Sequence, residues 1–505
     1  MANLTEQVAD WAERARAEAG QATVEAELRE LGRVERIGDG VAIVDGLPTA
    51  RQDEMLRFAD GALGMAVTLE PDRIGAVLLS PWDGIAAGSQ VGRSGAVVRV
   101  PVGEELLGRV IDPLGRPLDG APAPACARSE PVERPALAIV DRDLVSRPLA
   151  TGITVIDAMI PIGRGQRELI IGDRKTGKTA IAADAVINQK GSDVICVWAA
   201  IGQRSSSVNR LIDTVTRNGP RARTIFVVAE ASGPPGLAWL APYAACTMAE
   251  YFSEQGRDVL LVIDDLTRHA AIHREISLLL RRPPGREAYP GDIFYAHSRL
   301  LERGARRAAS LGGGSLTILP IAETQGGNLT AYIPTNLISI TDGQIILDPK
   351  LFYEGQKPAV NVGLSVSRVG GKAQPPVLRQ LAGSLRLDYA QFLELEVFTR
   401  FGAMADERTR RVVEHGRRIR SLLIQANTHV RSLAEQAAGL LALGEHLLDP
   451  LPPEAVNAFK DRLPAWLVSD CSDLVAGIEA EGDLGEAARA ELLERLKRFV
   501  AGLGG

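Results

Sequence analysis

The stretch ELIIGDRKTGKT at residues 168–179 decides the fold of this chain. Its second part fits the pattern G-x-x-x-x-G-K-[ST] in full. The apolar residues before the first glycine predict a strand buried on both faces, and AIAADAVI at 180–187 predicts the helix that follows. Backbone N–H groups converge in such a loop and the helix N-terminus adds a partial positive charge, which favours phosphate as the ligand. A glycine turn that binds nothing is the alternative, and the strand–loop–helix context disfavours it.

The residues of this loop are the candidates for binding a nucleotide. Gly172 and Gly177 let the backbone turn, Lys178 can reach the β- and γ-phosphates, and the hydroxyl of Thr179 can ligate Mg²⁺. We therefore predict ATP and Mg²⁺ as the bound ligands. The complete set of loop candidates is Gly172, Asp173, Arg174, Lys175, Thr176, Gly177, Lys178 and Thr179.

A second apolar run, VLLVI at 259–263, ends in two acids, Asp264 and Asp265. Ligands of open α/β sheets bind beyond the carboxyl ends of the strands, and we expect this strand to neighbour the one before the loop. Asp264 is then the candidate that holds Mg²⁺, usually through water. A helix cap is the alternative role for an acid at a strand end, and the pairing with the phosphate loop favours the metal role.

Further continuous apolar runs, VICVWA at 194–199 and TIFVVA at 224–229, are separated by segments long enough for helices. They predict a mainly parallel sheet covered by helices. Short strands with Asp-Gly turns before this α/β core predict a small closed β-barrel, and amphipathic helices follow it. The predicted domains are an amphipathic helix over 1–26, a β-barrel over 27–97, a nucleotide-binding α/β domain over 98–380 and a helical domain over 381–505.

Composition restricts the function classes. With 505 residues the chain exceeds one compact core, and a net charge of −6 argues against a nucleic-acid binder that neutralises phosphates. The four cysteines are scattered, without the spacing of a zinc site or a disulfide framework. No apolar run reaches the ~20 residues that span a bilayer, so membrane association is expected only through partners. The histidines that we considered show no ligand spacing and are expected to be structural: His269, His273, His297 and His429.

Four further segments resemble the rotary ATPase family, and within it the alpha-type subunits of F-type ATP synthases. The resemblance runs from about residue 27 to residue 420 with long near-verbatim blocks, and more loosely to the C-terminus. The segments are PIGRGQR at 161–167, RRPPGREAYPGD at 281–292, SITDGQ at 339–344 and PAVNVGLSVSR at 358–368.

The resemblance implies an N-terminal β-barrel, a RecA-like P-loop domain and a C-terminal helical bundle. It also implies a ring of three alpha and three beta subunits around a rotating gamma stalk, with a delta subunit at the N-terminal helix and a peripheral stalk. Such a complex lies on the cytoplasmic face of the bacterial plasma membrane and couples ion transport, commonly of hydrogen ions, to ATP synthesis or hydrolysis. Beta subunits carry the catalytic sites, whereas alpha sites bind Mg-ATP without turnover.

The resemblance further assigns a role to one glutamine. In catalytic rotary subunits a Glu after the second core strand polarises the attacking water, and here Gln203 stands in that place. An amide cannot act as a general base near neutral pH, and base catalysis contributes ~10²–10⁴-fold to a rate. Small GTPases nevertheless use a Gln to position water and hydrolyse slowly. Gln203 therefore predicts a nucleotide-binding site with weak turnover.

Arg368 corresponds by resemblance to an arginine finger that projects into the neighbouring beta site. A guanidinium there neutralises charge that develops on the transferred phosphoryl group, typically ~10³–10⁵-fold in rate. Ser365 and Ser339 are expected to help shape the same interface. An ordinary surface ion pair is the alternative role for Arg368.

Three sites depart from the usual alpha pattern. Lys175 replaces a common Gln in the phosphate loop, and Lys357 replaces an Arg before Pro358 at the adenine end of the pocket. Gln425 and Asn427 belong to a stretch that replaces Gln-x-Gln-Tyr, which also lines the adenine. Because Lys cannot reproduce the planar stacking of Arg, we expect weaker adenine contacts and stronger phosphate contacts. Such changes suit a divergent or second bacterial copy of the subunit.

Two other function classes remain open at this point. A catalytic subunit of a rotary or secretion-type ATPase would share the phosphate loop, and Gln203 weighs against it. A hexameric RecA-like nucleic-acid translocase would need a basic pore, which the acidic balance disfavours. Hydrolysis by the isolated chain tests the first class, and nucleic-acid binding tests the second.

Overall fold

The computed structural model describes residues 30–400 and 407–503, with side chains for all of these except residues 397–400 and 453. The helix predicted over residues 1–26 lies outside the described part. Three regions follow one another along the chain: a closed barrel, a mainly parallel sheet between helical layers, and a helical region. The predicted fold class is therefore confirmed.

The N-terminal region is a closed antiparallel barrel in the order β1-β2-β5-β4-β3-β6. The turn between its first two strands contains Asp39 and Gly40 with φ of 51° and 78°, the positive values that a tight hairpin of this twist requires. Alternate side chains such as Val44, Leu56 and Leu78 are fully buried and fill the barrel. The barrel strands are β1 (Leu31–Gly38), β2 (Val41–Asp45), β3 (Glu54–Phe58), β4 (Leu63–Leu69), β5 (Arg73–Leu78) and β6 (Gln90–Val97).

The central region is built on a sheet in the order β18-β17-β11-β16-β14-β12-β13-β8, with β10 and β15 attached beside β16. The strands from β17 to β8 pair in parallel, and β18 pairs antiparallel with β17. Two short strands, β7 (Arg99–Val102) and β9 (Arg128–Pro131), form a separate ribbon. The sheet strands are β8 (Val110–Ile111), β10 (Arg142–Asp143), β11 (Glu168–Asp173), β12 (Ile195–Gln203), β13 (Thr224–Glu230), β14 (Asp258–Asp264), β15 (Ala305–Arg307), β16 (Ser315–Thr324), β17 (Gly343–Leu347) and β18 (Val366–Ser367).

Helices cover both faces of this sheet, which explains its continuous apolar strands. Ile170 of β11 packs in one hydrophobic core, whereas Leu169 and Ile171 pack in the core on the other face. Continuous burial on both faces is expected of a parallel sheet between helical layers. The helices of this region are α1 (Thr154–Met159), α2 (Lys178–Ile187), α3 (Ser205–Asn218), α4 (Pro235–Glu254), α5 (Leu266–Leu279), α6 (Ile293–Leu301), α7 (Tyr332–Ile340) and α8 (Pro349–Tyr353).

The position of β14 differs from the expectation. We expected it next to β11, but β16 lies between them and pairs in parallel with both. The order of strands in space is set by long-range packing and does not follow from the order of apolar runs along the chain. The carboxyl ends of β11, β16 and β14 nevertheless meet at one edge of the sheet, which keeps Asp264 close to the phosphate loop.

The C-terminal region is helical. Helices α10 and α11 approach closely at Gly416, where a Cβ atom would lie 2.0 Å from Cγ of Phe392. Pro453 is the first residue of a helix, where its missing N–H is not needed. In the described part, no helix is both long and apolar enough to cross a membrane. The helices are α9 (Pro376–Leu381), α10 (Leu385–Arg400), α11 (Glu407–Leu423), α12 (Leu433–Gly444), α13 (Pro453–Asp470), α14 (Ser472–Glu481) and α15 (Glu486–Ala501).

Candidate nucleotide site

The phosphate loop connects β11 to the N-terminus of α2 and depends on its two glycines. Gly177 precedes the helix with φ of 100°, in the left-handed region that favours glycine. At Gly172 a Cβ atom would lie 2.8 Å from the backbone oxygen of Leu347 on the neighbouring strand, which is too close. The loop can therefore approach both its own sheet and a ligand only with glycine at these positions.

The loop is held in place by a residue predicted to bind nucleotide. Asp173 Oδ1 accepts hydrogen bonds from Thr324 Oγ1 at 2.6 Å and from the backbone N–H of Gly327 at 2.9 Å. Within the loop, Thr176 Oγ1 donates to the backbone oxygen of Asp173 at 2.7 Å. These bonds tie the loop to the end of β16, so that its shape is set before any ligand binds.

Lys178 is the buried cation of the loop, which also contains the exposed Arg174 and Lys175. Its Nζ donates to the backbone oxygens of Gly172 at 2.9 Å and Asp173 at 2.7 Å. Burial lowers the pKa of Lys178, while the nearby carboxylates, led by Glu323 and Asp265, oppose that shift. An ammonium group so placed can exchange its loop carbonyls for phosphate oxygens.

Thr179 and Asp264 together offer hard oxygen ligands. Thr179 Oγ1 lies 3.1 Å from Asp264 Oδ2. Neighbouring oxygens in an octahedron around Mg²⁺ lie about 3.0 Å apart when the metal–oxygen distance is about 2.1 Å, so both groups fit one ion. Burial raises the pKa of Asp264, whereas a bound divalent cation favours its ionised form. The donor set and its spacing fit Mg²⁺.

Asp265, the neighbouring acid, is engaged differently. Its carboxylate accepts a hydrogen bond from the backbone N–H of Arg268 at 2.6 Å and so caps α5. Burial, followed by the charge of Asp264, raises the pKa of Asp265 to about 7. Asp265 therefore has the helix-cap role, and Asp264 stays the candidate ligand for Mg²⁺.

Gln203 lies at the end of β12, beside the candidate metal ligand. Its Nε2 donates to the backbone oxygen of Asp264 at 3.1 Å. This places the amide at the inner edge of the site, where a carboxylate would be required for base catalysis. The amide side chain helps to fix the end of β14.

Two acids of the site were not predicted. Glu323, at the end of β16, pairs with Arg174 at 2.8 Å and lies 4.0 Å from Lys178. Asp184 of α2 lines the same cavity, and burial raises its pKa to about 6. Glu323 follows an apolar strand and could have been found by the reasoning used for Asp264, had β16 been predicted.

The loop opens onto a cavity of about 340 Å³, within the range of small-molecule sites. At its far end the Nζ of Lys357 lies 4.7 Å from the ring centre of Phe352. Gln425 is fixed there by its backbone N–H, which donates to the oxygen of Lys357 at 2.8 Å. The predicted residues that line the cavity are Lys175, Thr176, Gly177, Lys178, Thr179, Asp264, Lys357, Pro358, Gln425 and Asn427.

Four predicted residues do not line that cavity. Gly172 and Asp173 lie beneath the loop, Gln203 bonds to the strand carrying Asp264, and Arg174 is exposed and paired with Glu323. Their contacts support or flank the loop.

Arg368 lies at the opposite end of the sheet. It follows β18, and its backbone N–H donates to the oxygen of Asp342 at 2.9 Å, next to the pairing of Gly343 with Glu168 at the start of β11. Five further residues of strand, at about 3.3 Å each, separate this end from Asp173, or about 16 Å in all. Arg368 is exposed, and its side chain forms no hydrogen bond or ion pair with the residues described. It therefore cannot reach its own phosphate loop.

The two predicted interface serines are in different situations. Ser365 is fully buried; its hydroxyl donates to the oxygen of Asn361 at 2.6 Å and accepts from the N–H of Ile346 at 2.9 Å. Ser339 is exposed on α7 and donates to the oxygen of Asn336 at 2.7 Å. Ser365 can influence an interface only by holding the segment before Arg368.

Comparison with known proteins covers most of the chain. Residues 28–95 match the ATP synthase alpha/beta family, beta-barrel domain; residues 152–367 match its nucleotide-binding domain; and residues 374–499 match the ATP synthase alpha/beta chain, C terminal domain. The chain is 57% identical over 474 residues to ATP synthase subunit alpha 2 of Burkholderia thailandensis, covering 93% of this chain and 85% of the relative. It is 56% identical over 490 residues to ATP synthase subunit alpha 3 of Paraburkholderia xenovorans, covering 97% and 92%.

Proposed function

The chain belongs to the ATP synthase alpha/beta family as an alpha-type member, and on that premise we propose that it is the regulatory, non-catalytic ATP-binding subunit of an F-type ATP synthase. It alternates with beta subunits in a ring, binds Mg-ATP and supplies Arg368 to the catalytic site of the neighbouring subunit. The observation that carries the proposal is the placement of an unpartnered, exposed Arg368 at the end of the sheet opposite its own phosphate loop.

Binding of Mg-ATP by this chain rests on the loop and the two oxygen ligands. Lys178 and the backbone of the loop hold the phosphates, while Thr179 and Asp264 hold Mg²⁺. The bound metal ion would neutralise phosphate charge. The cavity leads from the loop to Lys357 and Gln425, where the base is held.

Weak turnover at this site is supported by the chemistry of its acids and amide. Gln203 has no proton-accepting group and donates its N–H to the backbone of Asp264. Glu323 is engaged by Arg174, and Asp265 caps α5. Because Gln203 stands where a catalytic subunit has its basic Glu, the site is suited to retain its nucleotide.

We infer that Arg368 acts at the catalytic site of a neighbouring subunit. The guanidinium of Arg368 is exposed and forms no hydrogen bond or ion pair with the residues described, so its N–H groups can bind phosphoryl oxygens of another subunit; the buried carboxyl of Glu168 lies within its electrostatic reach. Asp342 and the buried Ser365 fix the backbone around it. The side chain thus projects from an ordered base, as an arginine finger requires.

Assembly with partners is supported by exposed apolar side chains near β10. Ile139, Val140 and Leu144 are 89%, 86% and 82% exposed, and clustered apolar surface of this kind marks contact sites. We assign to the assembled complex the beta subunits, the gamma stalk, a delta subunit at the N-terminal helix and a peripheral stalk. It lies on the cytoplasmic face of the bacterial plasma membrane and couples ion translocation to ATP synthesis or hydrolysis.

The decisive experiment is ATP hydrolysis by the ring reconstituted with its beta-type subunit. Arg368→Ala should lower multisite hydrolysis by about 10³-fold or more, because the guanidinium acts on the transition state. ATP binding to the isolated chain should be unchanged, since Arg368 lies about 16 Å from its own loop. Arg379→Ala, an arginine of α9, is the matched control. Normal hydrolysis by the Arg368→Ala ring would contradict the proposal.

A further inference from the structure

Three side chains that can ligate a metal converge on the surface of the helical region. His415 lies on α11, whereas His446 and Asp449 lie between α12 and α13. One potential ligand atom of each lies within 4.8 Å of the other two. In residues 30–400 and 407–503, no other group of three His, Cys, Asp or Glu side chains brings its ligand atoms together in this way.

Both imidazoles direct the same nitrogen at one carboxylate. Nδ1 of His415 lies 2.8 Å from Oδ1 of Asp449, and Nδ1 of His446 lies 2.7 Å from Oδ2. Two ligands of a tetrahedral Zn²⁺, each about 2.0 Å from the metal, lie about 3.3 Å apart. Each contact would have to open by about half an ångström, which small rotations of the side chains allow.

The backbone brings these ligands together from distant parts of the sequence. His446 adopts the left-handed region with φ of 57°, which few L-residues adopt and which turns the segment after α12 back towards α11. Arg418, one turn beyond His415, donates from Nε to the backbone oxygen of Leu448 at 3.3 Å. The imidazole rings of His415 and His446 consequently lie with their centres 4.7 Å apart.

The cluster is open on one side. The side chain of His415 is 17% exposed, that of Asp449 32% and that of His446 68%. A cation can therefore enter from solvent, and water can complete a coordination sphere that has three protein ligands. In a fully buried cluster, a cation could not enter from solvent and water could not complete its coordination sphere.

We propose that His415, His446 and Asp449 form a binding site for Zn²⁺ or a similar divalent transition metal. Two imidazole nitrogens and a carboxylate oxygen suit Zn²⁺, whereas Mg²⁺ and Ca²⁺ prefer sites made only of oxygen. Binding at Nδ1 replaces the hydrogen bonds to the carboxylate, and each neutral imidazole then carries its proton on Nε2. The metal ties α11 to the segment before α13, and this role is independent of the Mg-ATP site.

The test is equilibrium binding of Zn²⁺ to the purified full-length chain in a buffer that contains excess Mg²⁺. Thermal unfolding is the second readout. We expect one Zn²⁺ per chain that Mg²⁺ does not displace. Free Zn²⁺ at a hundred times its Kd should lower the unfolded population about 100-fold. His446→Ala, which changes the most exposed of the three side chains, should weaken Zn²⁺ binding at least tenfold and so reduce the thermal shift at the same free Zn²⁺ to about half or less, as should His415→Ala.

Two matched variants separate this site from adventitious binding. His429→Ala removes another exposed histidine of the same region, and Cys126→Ser removes the one cysteine in the described part that is not buried. Both should retain the full Zn²⁺ stoichiometry and thermal shift. Absence of saturable Zn²⁺ binding, or binding that His446→Ala leaves unchanged, would show that the three side chains form only an ion-pair cluster and would overturn the proposal.

Discussion

The candidate functional groups at the two ends of β11 are held in opposite ways. At the carboxyl end, Lys178 bonds to carbonyls of its own loop, Asp264 bonds to Thr179, and Asp265 caps α5. At the amino end, Arg368 is exposed and has no hydrogen-bond or ion-pair partner among the residues described. This difference is what the proposed function requires, in which the carboxyl end binds Mg-ATP within this chain and Arg368 acts at the site of a neighbouring subunit.

Loss of the loop ammonium should give the largest effect at the carboxyl end. Lys178→Met removes charge-assisted hydrogen bonds to phosphate, each contributing about 1.5–3 kcal/mol, so ATP affinity should fall roughly 10- to 150-fold. The measurement is the Kd of Mg-ATP for the isolated full-length chain. Lys190→Met, an exposed lysine of the same domain, is the control. Equal Kd values for Lys178→Met and the native chain would show that the carboxyl end of β11 is not the nucleotide site.

The sequence was informative where the chemistry is local. The loop, the strand before it and the helix after it are contiguous, so their residue types alone predict the phosphate site. Asp264 was found because it ends an apolar run. Within the loop, neighbours in sequence are neighbours in the structure. Asp264 comes from a separate strand and lies close because the carboxyl ends of these parallel strands meet at one edge of the sheet.

What the sequence could not predict depends on packing between distant segments. The insertion of β16 between β11 and β14 depends on the tertiary arrangement, and with it the place of Glu323. Ser365 is buried at a position where its hydroxyl accepts a hydrogen bond from the backbone N–H of Ile346, 19 residues away in the sequence. His415 and Asp449 meet across 34 residues, and no spacing rule for metal ligands spans that separation.

At the amino end of β11, variants of Ser365 and Ser339 test whether Ser365 positions Arg368. Ser365→Ala leaves the buried N–H of Ile346 without its acceptor, at a cost of about 1–3 kcal/mol, and loosens the segment before Arg368. Hydrolysis by the reconstituted ring should fall about tenfold, with the Kd of ATP for this chain unchanged. Ser339→Ala, at an exposed hydroxyl, should change hydrolysis less than twofold. Equal losses in both variants would show that Ser365 does not position Arg368.

The pH dependence of stability reports on the carboxyl end. Because the folded-state pKa of Asp265 is about 7, above the ordinary value of 3.8, the folded chain binds its proton more tightly than the unfolded chain. The free energy of unfolding should therefore fall as pH rises from about 4 to 7. Asp265→Asn keeps a side chain that can cap α5. Over the same pH range, the free energy of unfolding of this variant should fall less than that of the native chain, by at least about 1.4 kcal/mol, the equivalent of one pKa unit.

Denaturant unfolding of both chains at pH 5 and pH 7.5 measures this difference. Asp483→Asn, at an acid far from the site whose side chain bonds only to the next backbone N–H, serves as the control. An identical pH dependence for Asp265→Asn and the native chain would mean that Asp265 titrates as an ordinary carboxyl group.

The base end of the cavity should give the smallest effect. Lys357 places an ammonium, rather than a planar guanidinium, 4.7 Å from the ring of Phe352 beside the expected base. Lys357→Arg restores a group that can stack, and a contact of about 0.5–1 kcal/mol corresponds to a two- to fivefold gain in ATP affinity relative to GTP. Kd values of ATP, ADP and GTP for the isolated chain measure it, with Lys350→Arg on the exposed face of α8 as the control. An unchanged ratio of ATP to GTP affinity in Lys357→Arg would show that Lys in place of Arg at this position does not affect base selectivity. The nucleotide specificity at the carboxyl end of β11 would then depend on the phosphate contacts alone.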